Sequence, residues 1–226
     1  MGLFDKKYCS ICGEKIGFLG NRKLEDGNLC KDCARKLSPF FSERRHSTVE
    51  EIKEQLRAYC ALRFTEEELQ YIDSIRWIKG SYVDFLRIWQ PRYEDFTITT
   101  DAPCGLAIEA KGSWLCSSMY EIPVLAIVNE VYFRMKYDYD ALMDSFRRRL
   151  DDKIAKLQSG EWNIGVFSEF GLRRRLSGEA QDLAVKELCS KDLGASHCVG
   201  TSNVYLAMKH NVTPVGTMAH EWIMCV

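Results

Sequence analysis

The chain has 226 residues, in which 31 Lys and Arg are balanced by 32 Asp and Glu to a formal net charge of −1. This balance excludes a global field that would draw the protein to nucleic acid or to an anionic membrane. The longest apolar stretch, 122–128, is far shorter than the roughly 20 residues that cross a bilayer, and the first residues lack a secretory signal. We expect a cytoplasmic protein whose ten cysteines stay reduced, as metal ligands or small core residues.

The first 45 residues form a short Gly-rich and Lys-rich segment with two cysteine pairs. Cys9 and Cys12 are separated from Cys30 and Cys33 by seventeen residues. This spacing fits the C-x₂-C-x₁₅₋₂₀-C-x₂-C pattern of a zinc site, with all four sulfurs around one ion. Four thiolates leave no open position on the metal, so the predicted zinc is structural and not catalytic. The alternative is four buried or redox-active thiols, which fits the paired spacing less well.

The segment from Ser47 to about residue 160 predicts helices around a small sheet. A helix start is indicated at Ser47 or Thr48, and a second at Thr65, where Thr65 and Glu68 match a capping box. Two short alternating segments, FTITT and GLAIEAKG, predict an antiparallel pair of strands joined by a turn at 101–103. Longer helices are predicted over 121–135 and 139–157. We therefore expect a helical junction over 46–64 and an α+β domain over 65–160.

After residue 160 the predicted strands and helices alternate. The segments are GVFSEF, SGEAQDLAVKELCS, CVGTSN, VYLAMKHN and the extended VTPVGTMAHEW. Alternation of this kind predicts parallel βα units, whose functional groups gather at the carboxyl ends of the strands. The expected fold class thus combines α+β and α/β parts: a zinc ribbon or knuckle over 1–45, the α+β domain, and the first strands of an α/β barrel over 161–226.

Three predicted strand ends carry candidate functional groups. Phe170 and a run of three arginines follow the first strand, where guanidinium groups suit an anion, although a basic helix start facing water explains the run equally well. The second strand ends in VGTSN, whose small residues and hydroxyls allow close approach of a ligand. His220 follows the third strand in a position that suits a nucleophile or proton carrier, although a lone histidine is more often structural.

Taken in order, FG-x-RRR-x-S, VGTSN and TP-x-GT-x-AHEW resemble the motifs of nicotinate phosphoribosyltransferase. The resemblance begins near Ile52, includes YEIPVLA at 120–126 and runs to Val226. It implies a phosphoribosyltransferase-type barrel, incomplete here, and a homodimeric assembly. It also implies an enzyme of NAD biosynthesis that joins nicotinate to phosphoribosyl pyrophosphate. Such enzymes hydrolyse ATP, with Mg²⁺, through a phosphohistidine and produce nicotinate mononucleotide.

Site residues follow from this resemblance by motif. His220 corresponds to the phosphorylated histidine, Phe170 to the ring that stacks on the pyridine, and Arg173 to the partner of the substrate carboxylate or a nearby phosphate. Ser202 corresponds to a donor to the acid. Related nicotinamide-using enzymes carry an acidic residue at the Ser202 position, where it bonds an amide but repels a carboxylate. The resemblance therefore implies nicotinate as the base, and disfavours nicotinamide and quinolinate.

Residues 1–56 resemble a small bacterial N-terminal zinc domain of unknown function, through KxYCxICGEKIG and the CKDC segment. This second resemblance implies an interaction or targeting role. The sequence lacks the Asp-x-Tyr-Lys element and the later barrel strands of the phosphoribosyltransferases. We therefore expect a gene fusion or a broken reading frame whose isolated chain is inactive. The alternative function is a non-enzymatic zinc-binding interaction protein.

Overall fold

The computed structural model describes residues 8, 22–24, 27–29, 48–100 and 106–217. The chain divides into two compact units, Met1–Glu51 and Ile52–Val226. In the first unit, strand β1 (Arg22–Leu24) pairs antiparallel with strand β2 (Gly27–Leu29). The four cysteines predicted to bind zinc lie outside the described residues, so the zinc ribbon stays a prediction. The domain limits expected at residues 45, 64 and 160 also stay predictions.

Three helices follow along the chain, and the sequence predicts them only in part. Helix α1 covers the described residues 48–61, in agreement with the predicted helix start. Helix α2 (Glu66–Ser74) begins with the predicted capping box: the amide of Glu68 donates to Thr65 Oγ1 at 3.2 Å, and the amide of Thr65 donates to Glu68 Oε2 at 2.8 Å. Helix α3 (Gly80–Ile88) is an element that the sequence did not predict. It packs on α2 through a core of buried aliphatic side chains, Leu69, Val83 and Leu86.

A two-stranded sheet and two long helices follow, as the sequence predicts. Strands β3 (Phe96–Thr99) and β4 (Ala107–Ala110) pair antiparallel, and the turn expected between them lies outside the described residues. The next helices are α4 (Trp114–Ser117), α5 (Glu121–Lys136) and α6 (Tyr139–Gln158). None of the described helices is long and apolar enough to span a membrane.

The core of this part joins α1, the sheet and α5. Ile52 and Leu56 of α1 are buried against Val131 of α5, with side chains of both strands packed around them. Tyr120 is buried beside this core, and its hydroxyl donates to Asp95 Oδ2 at 2.6 Å. Burial and the neighbouring carboxylate raise the pKa of Tyr120 to about 12. The tyrosine therefore stays neutral and ties the start of α5 to the start of β3.

The remaining elements form a parallel three-stranded sheet with crossover helices, which confirms the predicted alternation. Its strands lie in the order β5 (Val166–Glu169), β6 (His197–Thr201) and β7 (Thr213–Pro214). Helix α7 (Gly178–Ser190) connects β5 to β6, and helix α8 (Val204–His210) connects β6 to β7. A second core lies between α6 and this sheet. In it, Leu150, Ile154 and Leu157 of α6 are buried together with Leu193 and Cys198.

Gly200 of β6 permits the close approach of β7. A Cβ atom placed on Gly200 would lie 1.8 Å from the main-chain oxygen of Thr213, a distance that no pair of non-bonded atoms tolerates. The space beside Gly200 is therefore filled by a neighbouring strand. The absence of a side chain at Gly200 therefore allows β6 to pair with β7. From the sequence alone, we expected the small residues of this segment to allow close approach of a ligand.

We predict that Gly200→Ala destabilises the second unit by about 3 kcal/mol, because the added methyl group forces β7 away from β6. Gly216→Ala is the matched control, since no described heavy atom lies within 4 Å of a Cβ placed there. Urea unfolding measures both variants. Equal midpoints for the two variants would contradict the close approach of β6 and β7.

Asp182 links the two crossover helices. Its Oδ2 accepts a hydrogen bond from Lys209 Nζ at 2.6 Å, and its Oδ1 lies 2.6 Å from His210 Nε2. Partial burial favours the neutral acid, but these two partners outweigh it and hold the pKa of Asp182 below its usual value. The ionised carboxylate therefore stabilises the packing of α7 on α8.

Because the pKa of Asp182 is lower in the folded chain than in the unfolded chain, its stabilising effect is complete above the unfolded value of about 3.9. The effect is lost as the pH falls through the folded pKa. Asp182→Asn should lower the free energy of unfolding at neutral pH by about 1 kcal/mol. That difference should shrink below pH of about 4. Chemical unfolding over a pH series tests this, with Asp84→Asn, an exposed carboxylate on α3, as control.

Candidate functional site

Two of the candidate residues meet at the carboxyl end of the parallel sheet. Phe170 directly follows β5, and Ser202 directly follows β6. The amide of Ser202 donates to the main-chain oxygen of Glu169 at 2.9 Å, so the two strand ends stay adjacent. The Phe170 side chain is 50% exposed, and Ser202 is half-buried. The fold thus places an accessible aromatic face and a hydroxyl at one edge of the sheet.

Arg173 lies in a 3₁₀ helix, Leu172–Arg174, immediately after Phe170. Its Nη1 donates to Glu121 Oε1 at 2.6 Å, and both side chains are nearly half exposed. A guanidinium group has five N–H donors in a fixed plane, and this contact uses only one edge of it. Arg173 is therefore held by one carboxylate and retains donors for a second anion.

The other two arginines of the run have different environments. Arg174 is exposed, as expected for a solvated basic helix start. Arg175 turns inward: its Nη1 donates to Gln181 Oε1 at 3.3 Å, and its Nη2 lies 3.9 Å from Glu130 Oε2. Its main-chain oxygen accepts a hydrogen bond from Asn129 Nδ2 at 2.6 Å. Arg175 therefore anchors the loop to α5 and α7.

Four residues, Glu169, Thr201, Asn203 and Gln181, form a closed ring of hydrogen bonds at the two strand ends, and one link of the ring uses the main chain of Asn203. The Thr201 hydroxyl donates to Glu169 Oε2 at 2.6 Å, and the main-chain amide of Asn203 donates to Thr201 Oγ1 at 3.1 Å. Asn203 Nδ2 donates to Gln181 Oε1 at 3.1 Å, and Gln181 Nε2 returns to Glu169 Oε2 at 3.1 Å. We call these four residues the Glu169 ring. The sequence did not predict it.

Burial makes the Glu169 ring a rigid element. Thr201, Gln181 and Asn203 are all 9% exposed or less, so water is largely excluded from the bonds between them. A buried polar network in which the members satisfy one another fixes a single arrangement of side chains. Asn203 also begins helix α8, because its Oδ1 accepts the amide of Leu206 at 3.2 Å.

The remaining predicted site residues fall outside the described part of the chain. His220 lies beyond residue 217, and the four zinc-binding candidates lie in undescribed parts of the first unit. Across 48–100 and 106–217, no three or more His, Cys, Asp or Glu side chains are grouped to hold a metal ion. The roles of His220, zinc, ATP and Mg²⁺ therefore stay predictions.

Three family models match the chain. The N-terminal domain of nicotinate phosphoribosyltransferase matches residues 35–129, and the nicotinate phosphoribosyltransferase family model matches residues 166–226. A domain of unknown function (DUF4428) matches residues 7–55. The match to the phosphoribosyltransferase N-terminal domain and the match to DUF4428 overlap over residues 35–55, which include the first part of α1.

Curated relatives and solved structures agree with these models. The nicotinate phosphoribosyltransferase of Cupriavidus necator is 38% identical over 197 residues, which is 86% of this chain and 47% of that protein. That of Ralstonia nicotianae is 41% identical over 177 residues, which is 77% of this chain and 45% of that protein. The chain thus spans about half the length of the curated relatives it matches.

The crystal structure of nicotinate phosphoribosyltransferase from Porphyromonas gingivalis matches with a TM-score of 0.66 and 30% identity, over 80% of this chain and 45% of that chain. The one from Vibrio cholerae matches with the same TM-score and 27% identity, over 79% of this chain and 43% of that chain. In fold and sequence the second unit is similar to part of a phosphoribosyltransferase of mixed α/β class. The similar proteins are nicotinate phosphoribosyltransferases, which confirms the resemblance seen in the motifs.

Proposed function

We propose that this chain carries the base-binding part of a nicotinate phosphoribosyltransferase. Such an enzyme joins nicotinate to phosphoribosyl pyrophosphate, releases pyrophosphate and forms nicotinate mononucleotide for NAD biosynthesis. The observation that carries the proposal is the meeting of Phe170 and Ser202 at adjacent strand ends, in a fold shared with such enzymes. The substrates are inferred from the names of relatives that are about twice as long as the matched region.

Each residue of the candidate site suits one part of nicotinate. The exposed face of Phe170 offers a stacking surface for the pyridine ring. The remaining N–H donors of Arg173 suit the carboxylate of the base or a phosphate of the second substrate. Ser202 supplies a neutral hydroxyl that donates to the acid without repelling it. This combination favours an aromatic acid over the corresponding amide.

For the rest of the reaction, we propose that His220 accepts the terminal phosphoryl group of ATP, with ADP as the leaving group, and that ATP is bound with Mg²⁺. Phosphoryl and ribosyl transfer depend on positioning and electrostatic stabilisation of anionic groups. We further propose a homodimeric enzyme in the cytoplasm. The alternative, a non-enzymatic zinc-binding interaction protein, is less favoured because the similarity to the enzymes extends over 86% of the chain.

A chimera tests the base site: residues 52–226 replace the matching region of the Ralstonia nicotianae enzyme. We predict that it forms nicotinate mononucleotide. Ser202→Asp in this chimera should lower kcat/KM for nicotinate at least about tenfold more than for nicotinamide, because a carboxylate facing the substrate carboxylate is a like-charge contact.

Two further variants control this experiment. Ser202→Ala removes the donor without adding a charge, so it should weaken the use of nicotinate without favouring the amide. Arg173→Ala should likewise lower activity with nicotinate without a gain for the amide, since it removes an attractive partner only. An unchanged ratio of the two kcat/KM values in Ser202→Asp would show that Ser202 does not face the base.

For the first unit, we propose one structural zinc ion held by Cys9, Cys12, Cys30 and Cys33. Its donor set supports this, because four thiolates suit tetrahedral zinc and a segment of about 45 residues buries too little apolar surface to fold without such a link. The zinc unit would serve as an interaction or targeting module beside the enzyme-like region.

Protein purified under reducing conditions should contain one zinc ion per chain, measured by atomic emission. Cys9→Ser or Cys30→Ser should abolish binding, whereas Cys116→Ser, which alters a cysteine of the second unit, should leave the metal content unchanged. Chelation should unfold the first unit and spare the second, since binding of the metal drives folding of such modules. Metal-free protein with intact structure in the first unit would disprove the proposal.

A further inference from the structure

Phe170 lies in a turn that is closed by the side chain of the residue before it, Glu169. Its preceding residue is Glu169, and the amide of its following residue, Gly171, donates back to Glu169 Oε1. The side chain of Glu169 therefore closes a tight turn around Phe170. A side chain at Gly171 would displace this carboxylate, because an added Cβ would lie 2.5 Å from the same oxygen.

Ser202 is held on both sides by the Glu169 ring. Its preceding residue, Thr201, donates to Glu169 Oε2, and its following residue, Asn203, donates both to Thr201 and to Gln181. The amide of Ser202 itself donates to the main-chain oxygen of Glu169. One half-buried carboxylate, that of Glu169, thus contacts the neighbours of both Phe170 and Ser202.

We propose that Glu169 is the positioning residue of the base site, which fixes the Phe170 ring relative to the Ser202 hydroxyl. The inference rests on the proposed function, since it assigns these two side chains to nicotinate. Glu169 itself would contact neither the substrate nor the reacting atoms. It acts through Gly171 on one side and through Thr201 on the other.

A carboxylate is the group that this position requires. Three donors converge on the two oxygens of Glu169: the Gly171 amide, the Thr201 hydroxyl and Gln181 Nε2. An ionised carboxylate only accepts hydrogen bonds, so it satisfies all three donors at once. A glutamine of the same shape has one oxygen, and its NH₂ group would face at least one of the donors. Glu169→Gln therefore breaks the arrangement with little change in volume.

The first readout is the amide spectrum of the ¹⁵N-labelled full chain. In Glu169→Gln the Gly171 amide should shift and exchange faster with solvent, because its acceptor is the altered side chain. The Ser202 amide should stay protected, because its acceptor is the main-chain oxygen of residue 169. Glu187→Gln serves as the control, because it alters a carboxylate of α7 that is paired with Lys191. It should change neither amide.

The second readout is nicotinate itself, titrated into the same samples. Glu169→Gln and Thr201→Val should weaken its binding at least about tenfold, while Thr201→Ser, which keeps the hydroxyl, should bind nearly as the wild type does. Thr201→Val keeps the shape of threonine but loses the hydroxyl, whereas Thr201→Ser keeps the hydroxyl and loses a methyl group, so the pair separates loss of the hydrogen bond from loss of volume. Their comparison also decides the matter if Glu169→Gln does not fold.

The outcomes distinguish the two proposals. If the wild-type chain shows no response to nicotinate, the base site of the proposed function is wrong for this chain, and the role of Glu169 in it is overturned as well. If the wild type binds and Glu169→Gln binds equally, with an unchanged Gly171 amide, only the positioning role is overturned. Weaker nicotinate binding in Glu169→Gln, together with faster solvent exchange of the Gly171 amide, supports both the proposed function and the positioning role.

Discussion

The parallel pairing of β5 with β6 is the constraint on which the candidate site depends. Parallel strands cannot be joined by a tight turn, so the chain must cross over through α7 before β6 begins. The crossover brings both carboxyl ends to the same edge, where the Ser202 amide meets the main-chain oxygen of Glu169. Two residues far apart in the sequence are thereby placed side by side by backbone geometry alone.

Helix α5 connects this edge to the α+β part of the same unit. Its first residue, Glu121, pairs with Arg173, while Glu130 accepts the amide of Gly178 at the start of α7, at 3.0 Å. The loop after β5 is therefore braced at both of its ends by one long helix. Since α5 also contributes Val131 to the core with α1, the loop geometry depends on packing well away from the sheet.

Local signals in the sequence were sufficient for most of the helices and strands. The Thr65 and Glu68 capping box and the alternation after residue 160 specify structure within a few neighbouring residues, and both predictions are confirmed. Helix α3 was missed because its N-cap, Lys79, makes no side-chain hydrogen bond that would mark a start. The contact of Arg173 with Glu121 spans 52 positions, so no local pattern reveals it. The acidic side chain at Glu169, on an otherwise largely apolar strand, was the one available hint of the Glu169 ring.

The position of β5 bears on how this chain behaves before and during folding. Among the described strands it pairs with β6 only, and Val166 within it is 74% exposed, next to Ile164 at 54%. Exposed apolar residues on a strand edge that stays unpaired within the described part of the chain are a template for a second chain. In newly made copies of this protein, folding would therefore compete with association of two chains through the edge of β5. The yield of soluble protein would fall with concentration and synthesis rate, and charged substitutions at Val166 would be the natural means of restoring it.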